Sequence, residues 1–336
     1  MTATATAALP IRYVVLGAGA IGASVGAQLD RAGYDTVLVA RGAHRDAIAR
    51  DGLRLLADGV DERRRIAVAG HPRELTWSGR DIVLLAVKSQ DTADALAGLA
   101  EVAPPSTPVV CLQNGLRNEA AARERFTDVY GVMVYLPSAY LTPGEVVNYA
   151  APARGVLVLG SHPGGVGALG PELAETLTAA GFTARAVPDI LAWKRRKLLT
   201  NLGNAVDVLS GLGDGFLDAI DLLGREAEAV FAAAGLPVVD RDVFAAQVDG
   251  QRLAEIPGRP YPGGSTAQSV LRGGTAPEVG EFNGEIARLG RDHGVPTPAN
   301  SLVAALVDEV SRGIRPARGL PLHILLPRLR KAALAA

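Results

Sequence analysis

The 336-residue sequence predicts an α/β fold. A doubly wound, Rossmann-type sheet spans residues 11–188, and an all-helical C-terminal domain spans 189–336. Three observations carry this expectation. An apolar run, Ile11 to Leu16, leads straight into Gly17-Ala18-Gly19-Ala20-Ile21-Gly22 and on to a second apolar run, Thr36 to Ala40. Near-continuous apolar segments then alternate with amphipathic ones up to Val187, as parallel strands covered on both faces do. From Asp189 onward the hydrophobic period turns helical, in alanine- and leucine-rich stretches.

In a G-x-G-x-x-G turn each glycine has its own task. Gly17 permits the tight strand-to-helix turn, Gly19 lets the backbone approach a pyrophosphate, and Gly22 lets the helix pack against the strand. The helix that opens at Ala20 and Ile21 offers unpaired N–H groups and its positive dipole end to phosphates. A chain with 39 glycines can match this pattern by accident, but here a buried strand precedes it and a second strand follows at the βαβ distance. The end of that second strand is more discriminating. An NAD site places Asp or Glu there for the ribose 2′-hydroxyl, whereas this chain has Val39-Ala40-Arg41, with Arg45 four residues later. An arginine fork grips a phosphate bidentately, which points to NADP(H) rather than NAD(H). The competing reading of Arg41 is a solvated surface arginine, and whether Arg45 joins it at the 2′-phosphate stays open.

The remaining elements follow in order. Asp81 to Val87 reads as a strand with Lys88-Ser89-Gln90-Asp91 at its carboxyl end, then a helix through Ala100. Pro108 to Leu112 reads as the next strand, followed by Gln113-Asn114-Gly115. Ligands of such sheets bind outside the carboxyl ends of the strands, which makes Lys88 and Asn114 site candidates by position. Val132–Tyr135, Pro143–Val147 and Gly155–Gly160 read as short strands extending the sheet; a helix over Leu169–Ala180 and a strand over Phe182–Val187 complete the domain. Helices are expected over about 190–210, 215–235, 238–254, 277–294 and 299–312. Pro257 to Gly264, rich in proline and glycine, reads as a loop, and the tail from Arg315 to Ala336, with its prolines and basic residues, as a loosely packed terminus.

Composition narrows the class of function. Hydrophobic residues make up 48% of the chain, ample for a core in each of two domains. Lys and Arg number 34 against 35 Asp and Glu, a balance that points away from nucleic acid and membrane surfaces. No apolar run reaches membrane-spanning length. Residues 1–10 read as a flexible tail without the features of a secretory signal, and the expected location is cytoplasmic. The single cysteine, Cys111, excludes an internal disulfide and sits in an apolar run as a small core hydrophobe. The five histidines are scattered, and no metal-ligand cluster is present in the sequence.

Chemistry concentrates in the helical half. In Trp193 to Asn201, Lys197 and Asn201 stand four apart and share a helix face. Leu198, Leu199 and Leu202 occupy other sides, which suggests a buried helix with Lys197 directed into a cleft, placed to protonate a carbonyl oxygen as hydride reaches the carbon. The competing reading makes Lys194 to Lys197 a solvated basic stripe. Ser265 reads as a helix N-cap, and Glu278 as a first-turn acid of the helix that Pro277 opens.

The combination resembles the ketopantoate reductase family. The residues that carry the resemblance are the GAGAIG loop with Arg41, Val87-Lys88, Leu112 to Gly115, Lys197 to Asn201, Ser265 with Gln268, Glu278 with Asn283-Gly284, and Gly294-Val295 with Thr297-Pro298 and Asn300. They run in the family's order through both domains. The resemblance implies NADPH-dependent reduction of 2-dehydropantoate to pantoate, in a crevice between the domains of a homodimeric enzyme. It further implies Lys197 as general acid, and Asn114 and Asn201 as residues holding the substrate and the nicotinamide end; Asn204, one residue early of the family's second asparagine, is a further substrate-binding candidate. Ser265 becomes a carboxylate contact and Glu278 the acid that orients the substrate hydroxyl and the lysine; Arg41 and Lys88 contact the 2′-phosphate and adenine side. Three departures bear on substrate. Ala205 stands where the family commonly has asparagine, Ser269 where it has aspartate, and one extra residue lies between Gln268 and Glu278. They leave room for a diverged reductase acting on another keto acid or an imine. An NADP-binding sensor without catalysis is a further alternative, against which Lys197, Asn201 and Glu278 together argue.

Overall fold

A computed structural model describes residues 11–263 and 278–334. The chain divides into two compact units. One takes in residues up to Gln113, Arg117–Pro188 and Gln251–Ile256; the other takes in Asn114–Leu116, Asp189–Gly250 and the chain from Pro257 onward. The expected tail over residues 1–10 lies outside the described residues.

In chain order the first unit contains β1 (Arg12–Leu16), α1 (Ala20–Arg31), β2 (Asp35–Val39), α2 (Gly42–Asp51), β3 (Leu53–Ala57), β4 (Val60–Arg64), β5 (Ala67–Ala69) and β6 (Asp81–Leu85). There follow α3 (Thr92–Ala100), β7 (Val109–Cys111), α4 (Asn118–Arg123), β8 (Val129–Tyr135), β9 (Ser138–Ala139), β10 (Glu145–Asn148), β11 (Ala150–Ala151), β12 (Val156–Ser161), α5 (Gly170–Ala179) and β13 (Thr183–Ala186). The principal sheet has the order β13-β12-β8-β7-β6-β1-β2-β5. From β5 to β8 its strands run parallel; β12 is antiparallel to β8 and parallel to β13. Alternation along β1 explains why its residues from Tyr13 to Leu16 are all apolar. Tyr13 and Val15 face a core shared with Val25, Leu29, Leu173 and Leu177. Val14 and Leu16 face a second core with Leu96, Leu99, Cys111 and Ala122. Cys111 is buried and free, the small hydrophobe its context suggests.

The chain moves outward from β1 to β2 and β5, then returns to β6 on the other side of β1, so strand order reverses between β1 and β6. That is the switch point at which open α/β sheets take their ligands. Gly17 follows β1 there and Ala86-Val87-Lys88 follows β6.

The Pro143–Val147 segment does not extend this sheet. β10 instead pairs in parallel with β3 and antiparallel with β9, in a separate sheet of order β4-β3-β10-β9. The place beside β8 belongs to β12, and β10 is buried on both faces: Val146 joins the α1 core, while Val147 packs with Tyr149, Ala254 and Ile256.

The second unit holds α6 (Ile190–Asn201), α7 (Gly203–Ser210), α8 (Phe216–Ala233), α9 (Arg241–Val248), a 3-10 turn over Glu278–Glu281, α10 (Asn283–His293), α11 (Pro298–Ser311) and α12 (Leu322–Leu334). The helix expected over 238–254 is shorter. After Val248 the chain extends into β14 (Arg252–Leu253), which pairs antiparallel with β11 in the first unit. The tail also differs from expectation. Leu322, Leu325, Leu326 and Leu329, at i, i+3, i+4 and i+7, bury α12 in the helical core with Leu209 and Leu223. Its basic residues face outward, Arg330 pairing with Asp218 at 2.8 Å. Leu325→Ala should therefore cost about 2–5 kcal/mol in denaturant unfolding. Ile324→Ala, at a residue 44% exposed, should stay within about 0.5 kcal/mol.

Candidate active site

The glycine loop is built around two missing methyl groups. Gly17 has φ +104°, and a Cβ there would lie 2.7 Å from the Val87 backbone nitrogen. At Gly22 a Cβ would fall 2.1 Å from the Gly17 carbonyl oxygen and 2.9 Å from Ala86 Cβ. Gly19 differs, since a Cβ there meets nothing within 4 Å. The Gly17 and Ala18 N–H groups donate to the Val39 carbonyl at 3.1 and 3.2 Å, fixing the loop to the end of β2. Beyond it α1 begins without a side-chain cap and without an acid in its first turn. Its first N–H groups, at Ala20, Ile21 and Gly22, have no acceptor within the helix. An open approach at Gly19, unpaired donors and no competing carboxylate together fit a pyrophosphate.

Arg41 stands after β2 as the N-cap residue of α2, its side chain 80% exposed and its guanidinium 3.8 Å from the Asp91 carboxylate. Arg45 is engaged differently, donating twice to Asp46 at 2.9 and 2.6 Å. Lys88 follows β6, half-buried, and leads into a 3-10 turn over Ser89–Asp91. Sequence reasoning passed over His44. It is buried on α2, its Nδ1 accepts the Gly144 N–H at 2.9 Å, and its ring lies 4.2 Å from that of Tyr140. Burial pushes the imidazole below its ordinary value, and an approach to the Ala18 backbone partly offsets this, although Nε2 reaches no well-formed partner. The only signal in the sequence was one histidine on a short helix, too little to single it out.

In the second unit, α6 does not carry a solvated basic stripe. Lys194 and Arg195 are buried. Arg195 donates to the Pro237 carbonyl at 2.7 Å, Arg196 to the Val239 carbonyl at 2.8 Å, and the Val239 N–H returns to the Ala192 carbonyl at 3.2 Å. These cations fasten the segment after α8 to α6. Lys197 as a residue is half-buried, yet the protein around its ammonium pushes it down to about 8 through desolvation. Asn201, one turn on, is buried, and Asn204 is half-buried on α7.

Asn114 follows β7 and is half-buried. Glu278 opens the 3-10 turn ahead of α10. Ser265, with Gln268 and Ser269, lies outside the described residues. Two other residues of the resemblance, Asn283 and Asn300, prove to be scaffold. Asn283 donates to Asn300 Oδ1 at 3.0 Å, Asn300 Nδ2 donates to Glu226 at 2.8 Å, and Glu226 accepts the Ala299 and Asn300 N–H groups at the start of α11. Ala205 is fully buried in the helical core. Among the described residues no His, Cys, Asp and Glu group could hold a metal ion.

A largely parallel sheet whose glycine loop at the switch point fits a pyrophosphate, in one chain with a helical unit carrying a desolvated lysine, defines a nicotinamide-nucleotide-dependent oxidoreductase. Residues 13–164 match the family model described as ketopantoate reductase PanE/ApbA, and residues 189–311 match its C-terminal counterpart. The chain is 30% identical over 308 residues to a 2-dehydropantoate 2-reductase of Archaeoglobus fulgidus, covering 90% of this chain and 99% of that protein. It is 28% identical over 302 residues to the protein of that name from Pyrococcus horikoshii, covering 88% and 96%. A crystal structure of a PanE/ApbA family ketopantoate reductase from Ralstonia eutropha JMP134 superimposes with a TM-score of 0.77 at 30% identity, over 90% of this chain and 99% of that one. The chain belongs to the ketopantoate reductase family.

Gly19→Ala should leave the thermal midpoint close to that of the wild type while weakening NADPH binding, because its methyl meets nothing within 4 Å in the protein and enters the open space where a pyrophosphate fits. Gly22→Ala should lower the midpoint itself, by several degrees, since its methyl meets backbone. Thermal melts and cofactor titrations of both variants check this pair.

Proposed function

We propose that this protein reduces a 2-keto acid to a 2-hydroxy acid, 2-dehydropantoate to (R)-pantoate in pantothenate biosynthesis being the first reaction to test. The observation that carries the reading is Lys197, with an ammonium pushed down to about 8, one helical turn from buried Asn201. NADPH, when bound, supplies the hydride that adds to the keto carbon. As the carbonyl π electrons move onto oxygen, Lys197 gives that oxygen its proton, and the neutral amine regains one from water. An ammonium at about 8 is a stronger acid than an ordinary lysine and still charged at neutral pH. In this reading residues 11–188 form the NADP-binding domain and 189–336 the substrate domain. The loop from Gly17 to Gly22 holds the pyrophosphate; Arg41 and Lys88 hold the 2′-phosphate and adenine side. Asn114, Asn201, Asn204 and Ser265 hold the substrate, and Glu278 orients its hydroxyl and Lys197. In this reading the enzyme works as a cytosolic homodimer.

A second reading keeps the chemistry and changes the substrate. Ala205 occupies the core at the position where the family commonly presents an asparagine, which favours a reductase diverged onto another keto acid or imine. NADPH oxidation with 2-dehydropantoate and a panel of such compounds decides between the two: turnover of 2-dehydropantoate supports the first reading, and activity confined to another compound supports the second.

With its preferred substrate, the enzyme requires Lys197 protonated. kcat/KM should therefore hold steady below the lysine's value and fall as pH rises through about 8, approaching tenfold per pH unit. Lys197→Ala should lower kcat by about 10²- to 10⁴-fold while NADPH still binds; turnover like that of the wild type would remove its assigned role. Arg41→Asp should weaken NADPH by about tenfold or more beyond any loss for NADH, as expected when one charged hydrogen-bond partner is replaced by a like charge. Equal losses in paired titrations would reject the 2′-phosphate contact.

A further inference from the structure

The segment Val87–Asp91, which carries Lys88, is held from below by a chain of side chains whose hydrogen directions can be deduced. Gln113, buried at the end of β7, donates from Nε2 to the Val87 carbonyl at 2.8 Å and to Thr92 Oγ1 at 2.8 Å. A carbonyl only accepts, so it is Nε2 that faces Val87, and both amide hydrogens are then committed. Thr92, itself buried, accepts one of them and must pass its own hydrogen onward. It does so to Asn118 Oδ1 at 2.9 Å. That fixes the Asn118 amide with Nδ2 toward Ser89, where it donates to Oγ at 3.1 Å. Flipping Asn118 would place a second donor on Thr92 and strand a buried hydroxyl hydrogen.

Ser89 is thus the end of a one-way relay. Its oxygen already accepts from Asn118, and it makes no other side-chain hydrogen bond among the described residues. The hydroxyl hydrogen is directed away from the relay, and Ser89 is half-buried. The backbone here is equally constrained: the Lys88 carbonyl accepts the Asp91 N–H at 2.8 Å, and Val87 touches the glycine loop at Gly17. Ser89 therefore stands two residues beyond the point where the β6 segment meets the pyrophosphate cradle.

We propose that the Ser89 hydroxyl is a pre-oriented hydrogen-bond donor to an oxygen of the bound dinucleotide, with Gln113, Thr92 and Asn118 as the positioning residues that force it to donate. The inference rests on the cofactor reading above. In a relay of fixed polarity the donor is ready before the ligand arrives, so little ordering is required on binding.

NADPH binding, followed by titrating its fluorescence into the full-length protein, tests the relay. Ser89→Ala should raise the NADPH Kd about fivefold or more, the scale of one lost hydrogen bond. Thr92→Val removes the group that pins Asn118, letting Ser89 donate inward, and should weaken NADPH similarly. Thr92→Ser should restore binding, and the double variant Ser89→Ala/Thr92→Val should be no weaker than the worse single one. Thermal melts identify a variant that fails to fold, in which case the Ser89→Ala and Thr92→Ser results decide. Unchanged Kd for Ser89→Ala, or losses that multiply in the double variant, would overturn the relay while leaving the cofactor reading standing. Absence of NADPH binding by the wild-type protein would overturn both.

Discussion

How near α1 can come to the ends of β1 and β6 governs what the first unit can bind. With hydrogens in place of methyl groups at Gly17 and Gly22, the first turn of the helix settles against the loop carbonyl and Ala86. A methyl at either position would push the helix outward and turn its N–H groups from the carboxyl edge of the sheet. The same closeness lays Val87 on the loop, which sets where Lys88 and Ser89 emerge. One steric condition thus fixes the glycine loop against the start of the connection after β6, and the hydrogen bonds to the Val39 carbonyl tie the same loop to the end of β2, just before Arg41.

In the helical unit the governing problem is electrostatic. Consecutive cations on a largely buried helix are expensive to desolvate unless each finds acceptors. Arg195 and Arg196 meet this cost with carbonyls of the segment after α8, and Arg196 adds Glu228 at 3.3 Å. Those contacts also fix the rotation of α6, and with it the direction in which Lys197 and Asn201 leave the helix. The lowered basicity of Lys197 follows from the same burial that shapes the unit around it.

What could be read from sequence was whatever depends on near neighbours. The glycine loop, β1, β2, β6 and β7 announce themselves by turn chemistry and apolar runs, because strands covered on both faces need both. As candidates, Lys197 with Asn201 stood out through helical spacing, and Arg41 through the missing acid at the end of β2. Pairing between distant segments was not legible. Nothing local distinguishes a β10 that joins β3 from one that joins the main sheet, and β14 is two residues whose partner stands about a hundred positions earlier. In α12 the prolines and basic residues hid a leucine stripe, since composition averages over faces that folding separates. His44 and the Gln113 relay depend on side-chain directions set by packing, and the sequence shows only that such residues exist.

The strand β14 has a consequence for how this protein can be divided or recombined. Residues 251–256 return to the first unit, where the Ala254 N–H donates to the Tyr149 carbonyl at 2.7 Å, Arg252 pairs with Asp58 at 3.0 Å, and Ala254 and Ile256 close a small apolar cluster. A fragment ending at Pro188 would keep the glycine loop and the main sheet yet bare the edge of β11 and one side of that cluster, an opening for strand-to-strand association between copies. Halves exchanged between relatives at that boundary would likewise join a strand from one parent to an edge shaped by the other. The units are separate in compactness but interleaved in inheritance, and a working chimera must carry Gln251–Ile256 together with the first half.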